Sequence, residues 1–240
     1  MDSLEDSYSH NSEYKLRFLT GNDIDQILDI QEYVSQALSN PTSYYLEPVE
    51  FFRQQLAQPD SALGVFYREQ LLGFHFAAFP GWDEKNLGQD VGLCREELLQ
   101  AAQLGPAAIH PGYRHKGLLK LIHKTHLKLL KEHGYKHFLL TIAPNNYPSL
   151  KVTMMQGFVI KQLKLKYQGL LRYILHLDVL NRKIPLTTLR LPATALDAQK
   201  QLLARGFYGY DAIKNPGGFD IIFGCDTLPT GFTPESEVIE

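Results

Sequence analysis

Cysteine is scarce in this chain, and so is any excess of charge of one sign. The two thiols, Cys94 and Cys225, are too few for a disulfide framework and have no metal-type neighbour pattern. Lysine and arginine number 24 against 26 aspartates and glutamates, which gives a net charge of −2. The composition therefore gives no indication of nucleic acid or an anionic membrane as a partner, and a charged ligand has to be met locally.

Long apolar runs are also missing. The longest, from Leu71 to Pro80, contains His75 and is too short to span a bilayer. Residues 1–13 are polar and acidic and lack the apolar core of a secretory signal. We therefore expect a soluble, cytoplasmic protein with no membrane partner.

A metal-binding pattern is absent as well. Nine histidines are scattered through the chain, but a metal site would need a tight set with carboxylates or thiols. No metal is predicted, and most of the imidazoles are expected to be solvated or partly buried. Six of them surround one predicted helix: His110, His115, His123, His126, His133 and His137.

Apolar side chains, in contrast, are plentiful. Hydrophobic residues make up 44% of the 240 positions and aromatic residues 11%, enough for one large domain or for one domain with an appendage. We predict loose tails at 1–13 and 229–240, a main domain over 14–180 and a C-terminal extension over 181–228.

Hydrophobic periodicity gives the outline of the main domain. It predicts a first helix capped by Asn22 or Asp23, a second over 47–58 and a short acidic helix over 94–103. The full order is strand, two helices, two strands, strand, helix, strand, helix, two strands.

The most informative segment runs from Ala107 to Leu119. A short apolar strand stops at Pro111, which cannot donate to a sheet ladder, and Gly112 and Gly117 mark the turn and the helix entry. The first amides of a helix have no internal partner and lie at its positive end, so this turn builds a cradle for a phosphate or pyrophosphate. An ordinary strand-to-helix connection is the plainer alternative.

The helix that follows this turn is predicted to end at Gly134. Its apolar face is predicted to carry Leu118, Leu121, Ile122, Thr125 and Leu129.

A second segment, residues 145–149 followed by Gly157-Phe158, gives the turn a context. Together the two segments resemble the GNAT superfamily of acyl-CoA N-acyltransferases. The fourth strand of that family leads into an Arg/Gln-x-x-Gly-x-Gly/Ala turn, present here from Arg114 to Leu119. A later helix of the family begins near an Asn, here Asn146, and ends in Gly-Phe. The resemblance covers residues 14–180.

The resemblance implies a fold, a donor and an activity. The fold is of the α/β (α+β) class, a GNAT-type mixed sheet with helices on both faces, here with a strand-helix-hairpin extension. Acetyl-CoA or another acyl-CoA would be the co-substrate, and an amine of a small molecule or peptide the acceptor. Pantetheine would pair with the fourth strand near Ala107, and the pyrophosphate would lie on the amides of the turn. The implied cofactor-binding residues are Ala108, Ile109, Arg114, His115, Lys116, Gly117, Leu118, Leu119 and Asn146.

The chain departs from the family pattern at three positions. His115 replaces a frequent Gly, and Leu119 stands where Gly or Ala is usual, although both changes keep the backbone amides. Thr153 stands where the family often has a Tyr that protonates the leaving thiolate. Tyr147, Tyr113 or solvent could take that role.

The general base is not identified by the sequence, and the catalytic residues are left unassigned. His110 is one candidate, although a His-Pro pair is ordinary in such a turn. Acidic residues before the fourth strand are others, and a solvated acidic loop is the alternative interpretation: Asp83, Glu84, Glu96 and Glu97.

Three functions remain open. The leading one is an acyl-CoA-dependent N-acyltransferase that passes the acyl group directly to an amine. The second is a catalytically impaired CoA-binding sensor or scaffold, and the third is a fused pair of acyltransferase-like units with a donor other than CoA.

The extension repeats the plan of the segment before it. A strand, a helix, Gly206-Phe207 and a hairpin follow the same order as the strand, helix, Gly157-Phe158 and hairpin found 49 residues earlier. Chance is the alternative explanation. About 45 residues are marginal as an independent fold, so we expect the extension to pack on the main domain or to form a homodimer contact.

Overall fold

The computed structural model describes residues 13–37, 45–181 and 184–227, which contain ten strands and seven α-helices. The helices are α1 (Ile24–Gln36), α2 (Val49–Leu56), α3 (Leu87–Asp90), α4 (Arg95–Leu98), α5 (Leu118–Glu132), α6 (Tyr147–Met154) and α7 (Leu196–Ala204). The strands are β1 (Tyr14–Phe18), β2 (Ala62–Tyr67), β3 (Gln70–Ala78), β4 (Ala101–Ile109), β5 (His137–Ile142), β6 (Val159–Lys166), β7 (Leu170–Asp178), β8 (Thr187–Pro192), β9 (Tyr208–Asn215) and β10 (Gly218–Cys225).

The chain divides into two compact units. The described residues of the first are 13–37, 45–89 and 93–140, and those of the second are 90–92, 141–181 and 184–227. This division does not test the predicted boundary between the main domain and the C-terminal extension at residue 181, which stays a prediction.

The sheet of the first unit has helices on both of its faces. Strands β1 to β4 are antiparallel neighbours in chain order, and β5 runs parallel to β4 from the Ala101–His137 pair. Alternate strand residues point to opposite faces, so Phe66 of β2 packs with α1 and α2 whereas its neighbour Val65 packs with α5. Each face thereby has its own apolar cluster.

The entry to α1 differs from the predicted cap. Thr20, through its hydroxyl, caps a short 3-10 turn ahead of the helix. The Asp23 carboxylate instead accepts two hydrogen bonds from the Arg17 guanidinium, at 2.7 and 2.9 Å, and one from the Thr20 amide at 2.8 Å. The Asp23 side chain therefore pairs with Arg17 of the preceding strand and makes no cap hydrogen bond to α1.

Strand β4 begins earlier than the short apolar strand predicted before Pro111. The helix predicted over 94–103 is therefore wrong in its second half. Helix α4 stops at Leu98, and Ala101 already pairs with β5. Gly105 and Pro106 lie together opposite Phe76, a bulge that interrupts the alternation from which a strand is recognised.

The second unit has an antiparallel sheet in the order β7-β6-β9-β10-β8. Helix α6 packs against β9, and α7 packs against β6. Arg190 of β8 forms an ion pair with Asp220 of β10 at 2.6 Å. The extension is thus hydrogen-bonded to the segment before it through β6 and β9.

Neither a membrane-spanning helix nor a metal-binding group occurs in the part of the chain that the structure describes. None of its helices has the length and hydropathy needed to cross a bilayer. No cluster of three or more His, Cys, Asp or Glu side chains in these residues is placed to hold a metal ion.

Candidate functional site

The turn after β4 is held by its own side chains. The buried Ile109 ends the strand, and the His110 Nδ1 atom then accepts a hydrogen bond from the Gly112 amide at 3.1 Å. One 3-10 turn over Pro111–Tyr113 follows, in which the Arg114 amide donates to the Pro111 carbonyl at 3.3 Å.

Two residues of the turn have left-handed backbone geometry. The φ angle is 64° at His115 and 77° at Gly117, which caps α5. A side chain other than glycine costs about 1–3 kcal/mol in such a conformation, so the backbone at His115 is strained. Gly117, the cap of α5, makes no side-chain cap hydrogen bond to the first amides of the helix.

The space at the start of α5 is open. A Cβ atom built on Gly117 would meet no atom within 4 Å, and the Gly117 carbonyl already accepts the Leu121 amide at 3.0 Å. The amides of the first helical turn have no intrahelical acceptor, and the helix dipole makes this end positive. This geometry suits an anion.

The segment that contains the turn carries charge of one sign. Residues 98–131 include six lysines and arginines and no acid at all. Among the described residues, Arg114, Lys116 and Lys120 form no ion pair, and the Lys116 ammonium lies 5.1 Å from the centre of the Tyr113 ring. A chain of net charge −2 therefore carries a local cationic segment at an open helix start.

The end of β4 offers backbone groups beside this turn. The ladder from β4 to β5 runs over Ala101, Ala102 and Gln103. On the other side, Ala107 and Ala108 pair with β3. In the described residues, the β4 edge that faces away from β3 is thus unpaired beyond Gln103, as an extended ligand segment would require.

Leu118 and Leu119 both have a packing role. Leu118 is buried, and Leu119 is partly buried against the cluster that contains Ile109 and Ile122. The large side chain at position 119 packs on the edge of this cluster, and the substitution leaves the backbone amide in place.

Asn146, the ninth predicted cofactor residue, lies in the second unit. It caps α6, and its Oδ1 atom accepts the Ser149 amide at 3.2 Å. The other eight, from Ala108 to Leu119, lie together in the first unit around the turn. Their contacts with a ligand remain predictions.

The candidate acids differ in their surroundings. Thr153 is buried in α6. The Tyr147 ring packs on Phe219 at 5.2 Å with the Lys214 ammonium 5.4 Å from its centre. Tyr113 belongs to the cationic turn itself, against His110 and Lys116.

Several candidate bases already have structural roles. Glu97 accepts the Cys94 amide at 2.7 Å as part of the cap of α4, and Asp83 accepts the Lys85 amide at 2.8 Å in a turn. Glu84 and Glu96 are exposed. His110 holds the turn through its Nδ1 atom.

Glu47 is a titratable residue that the sequence did not single out. Its amide and carbonyl are both bonded to the buried Gln31 side chain, at 2.9 Å each, and burial raises the pKa of its carboxyl to about 7. It lies just before α2, on a segment whose apolar pattern gave no sign of a half-buried carboxyl.

A buried histidine cluster is the second feature that the sequence missed. His75 of β3 and His123 and His126 of α5 are buried, with the His75 and His123 ring centres 4.7 Å apart. His137 is buried too. The expectation that most of the rings are solvated or partly buried does not hold for these four. Helix α5 places His123 and His126 on the face that packs against β3.

Comparisons with known proteins find similar structures but no similar sequence. The chain matches no family model, and no curated protein matches its sequence. It does match solved structures. One is an acetyltransferase of the GNAT family from Streptococcus pneumoniae, at 16% identity and a TM-score of 0.51, over 69% of this chain and 99% of the other.

Two further matches contain ligands. One is diaminobutyrate acetyltransferase EctA from Paenibacillus lautus with L-2,4-diaminobutyric acid and coenzyme A, at 12% identity and a TM-score of 0.54, over 72% of this chain and 98% of the other. The other is from the NatC complex bound to Gag peptide and CoA, at 15% identity and a TM-score of 0.53. The match covers 69% of this chain and 98% of the other.

The chain therefore has the GNAT fold, and the predicted fold class, a mixed sheet with flanking helices, is confirmed.

Proposed function

We propose that this chain is an acyl-CoA-dependent N-acyltransferase, with acetyl-CoA as the preferred donor and an amine as acceptor. The observation that carries the proposal is the open, cationic start of α5 directly after β4, on a GNAT fold. Similar solved structures that contain coenzyme A support it.

The residues of the turn fit the phosphate part of such a donor. The α5 amides at Leu118 and Leu119 would hold the pyrophosphate, and Arg114 and Lys116 supply charge that no described carboxylate neutralises. The unpaired edge of β4 would hold the amide groups of pantetheine by backbone hydrogen bonds. The contact of Asn146 with the donor, which the resemblance implies, is left to the substitution experiment below.

Bound acetyl-CoA supplies an activated thioester, so the chain needs no covalent nucleophile. The amine nitrogen forms a bond to the carbonyl carbon, the carbon–sulfur bond breaks, and the products are an amide and free coenzyme A. One proton leaves the amine and one reaches the thiolate. The chain contributes position and a backbone donor for the carbonyl oxygen. Glu47, with a pKa of about 7, is a candidate for the proton acceptor.

A second candidate function is a CoA-binding sensor or scaffold without catalysis. The observation that favours it is Thr153, a buried hydroxyl where the family often has a tyrosine. Such a module would keep the anion cradle and lack an effective acid for the thiolate.

Two measurements test the proposal in sequence. Thermal unfolding with acetyl-CoA and with desulfo-CoA should show stabilisation at saturating ligand. If neither raises the melting temperature, both candidate functions are wrong. Release of free thiol from acetyl-CoA across a panel of amines then separates the two, because a sensor binds the donor and releases no thiol above background.

A further inference from the structure

The chain from β5 to β10 contains the same sequence of elements twice. Strand β5, α6, β6 and β7 are followed by β8, α7, β9 and β10. Helices α6 and α7 begin 49 residues apart, at Tyr147 and Leu196, and so do β6 and β9. The spacing seen in the sequence thus recurs in the helix and strand starts.

A local irregularity recurs at the same place. In the β6–β7 hairpin, Lys161 is the extra residue of a bulge, since Ile160 pairs with Leu175 and Gln162 with Ile174. In the β9–β10 hairpin the extra residue is Tyr210, again 49 positions later. Helix followed by Gly-Phe is common, but a bulge at the equivalent residue is a specific feature of backbone geometry.

The two copies are joined as a two-fold axis would join them. Strands β6 and β9 are antiparallel, and Ile160 of β6 pairs with its own equivalent, Gly209 of β9. The helices exchange as well, with α6 against β9 and α7 against β6. Such reciprocal contacts are the mark of an isologous interface, which normally joins two identical chains.

Gly209 favours the extension over a second copy of β6. A Cβ atom at position 209 would lie 3.0 Å from Ile160 Cδ1 and 3.0 Å from Ile221 Cγ2, closer than ordinary contact. Two β6 strands in this register would place isoleucine against isoleucine in that space. The glycine removes the conflict, so the interface discriminates against self-pairing.

The interface reaches the start of α6. Lys151 Nζ lies 2.6 Å from Asp211 Oδ1 of β9, and the Tyr147 ring lies 5.2 Å from Phe219 of β10. Tyr147 directly follows Asn146, the cap of the helix. The side chains that hold this turn in place therefore come from the extension.

We propose that residues 187–225 are an internal partner that occupies the β6–α6 surface in place of a second copy of the chain and fixes the first turn of α6. Asp211 and Phe219 are then positioning residues for Asn146. That last step rests on the proposed function, because Asn146 matters for binding only if it contacts the donor.

The first experiment uses Gly209→Ile in the full chain, with Gly217→Ala of the same hairpin as the matched control. A Cβ at position 217 would meet only Asn215 Oδ1, at an ordinary 3.6 Å. Sedimentation velocity should show a monomer for the wild type and the control. Gly209→Ile recreates the isoleucine conflict of two paired β6 strands, so it should lose the β6–β9 pairing and exchange its α6 amides faster than the control. A wild-type dimer that cross-links between two chains at position 160 would overturn the proposal.

A milder pair of variants covers the case in which Gly209→Ile does not fold. Phe219→Ala and Asp211→Asn should speed hydrogen exchange at the α6 amides and weaken acetyl-CoA binding, by roughly fivefold for loss of the aromatic contact. Asp197→Asn, which removes an exposed 3.5 Å pair with Lys200 on α7, is the control and should change neither.

The readouts separate the two proposals. Unchanged α6 exchange in both variants would overturn the internal partner, whatever acetyl-CoA does. Faster α6 exchange in a protein that binds no acetyl-CoA would support the internal partner and refute the proposed function.

Discussion

The Nδ1 atoms of His75 and His126 lie 2.8 Å apart in the core of the first unit. The Nε2 atom of His126 is 2.8 Å from the Asp60 carbonyl oxygen, which can only accept, so that nitrogen holds a proton. In a neutral ring, Nδ1 of His126 then accepts from His75. The pair is satisfied with both rings neutral, and protonation of His126 at Nδ1 would break it.

Stability should therefore fall with acid in a defined range. Burial lowers the pKa of His126 to about 4, and burial with the neighbouring His123 and His126 holds the pKa of His75 well below its usual range. Unfolded histidine titrates near 6.5, so the contribution is complete above that pH. For His126 it declines by on the order of 3 kcal/mol between about pH 6.5 and 4. Urea unfolding at a series of pH values measures it.

Two variants test the assignment to the buried cluster. His126→Gln keeps a donor for the Asp60 carbonyl and removes the titration, so its free energy of unfolding should depend less on pH. His115→Asn, which removes an exposed ring outside the cluster, is the control. Equal slopes in His126→Gln and the wild type would contradict the assignment.

Gly117→Glu should abolish acetyl-CoA binding. The variant brings a negative charge to the open start of α5 and strains a φ of 77°. Gly134→Glu is the matched control, because Gly134 has a φ of 92° and equally open space at the other end of the same helix. Calorimetry should show lost binding in the first variant only. Retained affinity in Gly117→Glu would refute this placement of the pyrophosphate.

Asn146 has two separable roles. Asn146→Ala removes the cap of α6 and should lower the free energy of unfolding by about 1 kcal/mol. Asn146→Asp keeps an oxygen for the Ser149 amide and should stay near wild-type stability. Both should bind acetyl-CoA more weakly if the side chain touches the donor. Full affinity in Asn146→Asp would restrict Asn146 to capping.

Glu47→Gln should be more stable relative to the wild type as pH rises. The folded pKa of about 7 lies above the usual carboxyl range, so the stability contribution is complete at acid pH and is lost as pH passes through 7. Chemical unfolding at pH 5 and pH 8 measures the difference. A pH–rate profile checks the catalytic candidate, since loss of the acidic limb together with most of the activity would identify Glu47 as the base.

Most of the fold could be predicted from the hydrophobic periodicity and from the glycines and prolines that end helices and strands. Gly134 does follow α5, with φ at 92°, and Pro111 does end the strand. Local sequence carries these signals because proline fixes φ and removes a donor, whereas glycine readily adopts the positive φ of a helix end. The failures have tertiary causes: Gln103 lies in a strand because β3 and β5 pair with its segment, and Asp23 turns to Arg17.

The site divides in the same way. The turn from Arg114 to Leu119 is readable, because its backbone needs left-handed residues and uncovered amides. Glu47 and the pair of His75 with His126 are not, because burial by distant segments produces their properties. From sequence alone, a polar side chain on a helix is expected to be solvated, because the polar group that it contacts on the sheet cannot be identified.

The acid-free stretch over residues 98–131 also has a kinetic and a practical consequence. Oppositely charged groups in solution attract over about 10 Å at 0.1 M ionic strength, so a polyphosphate ligand should associate faster at low salt and progressively more slowly as salt is added. For the same reason, a protein of sequence pI 6.5 should be retained at neutral pH by an immobilised polyanion such as heparin. Retention on such a column would then reveal the local positive charge, which the isoelectric point of the whole chain does not show.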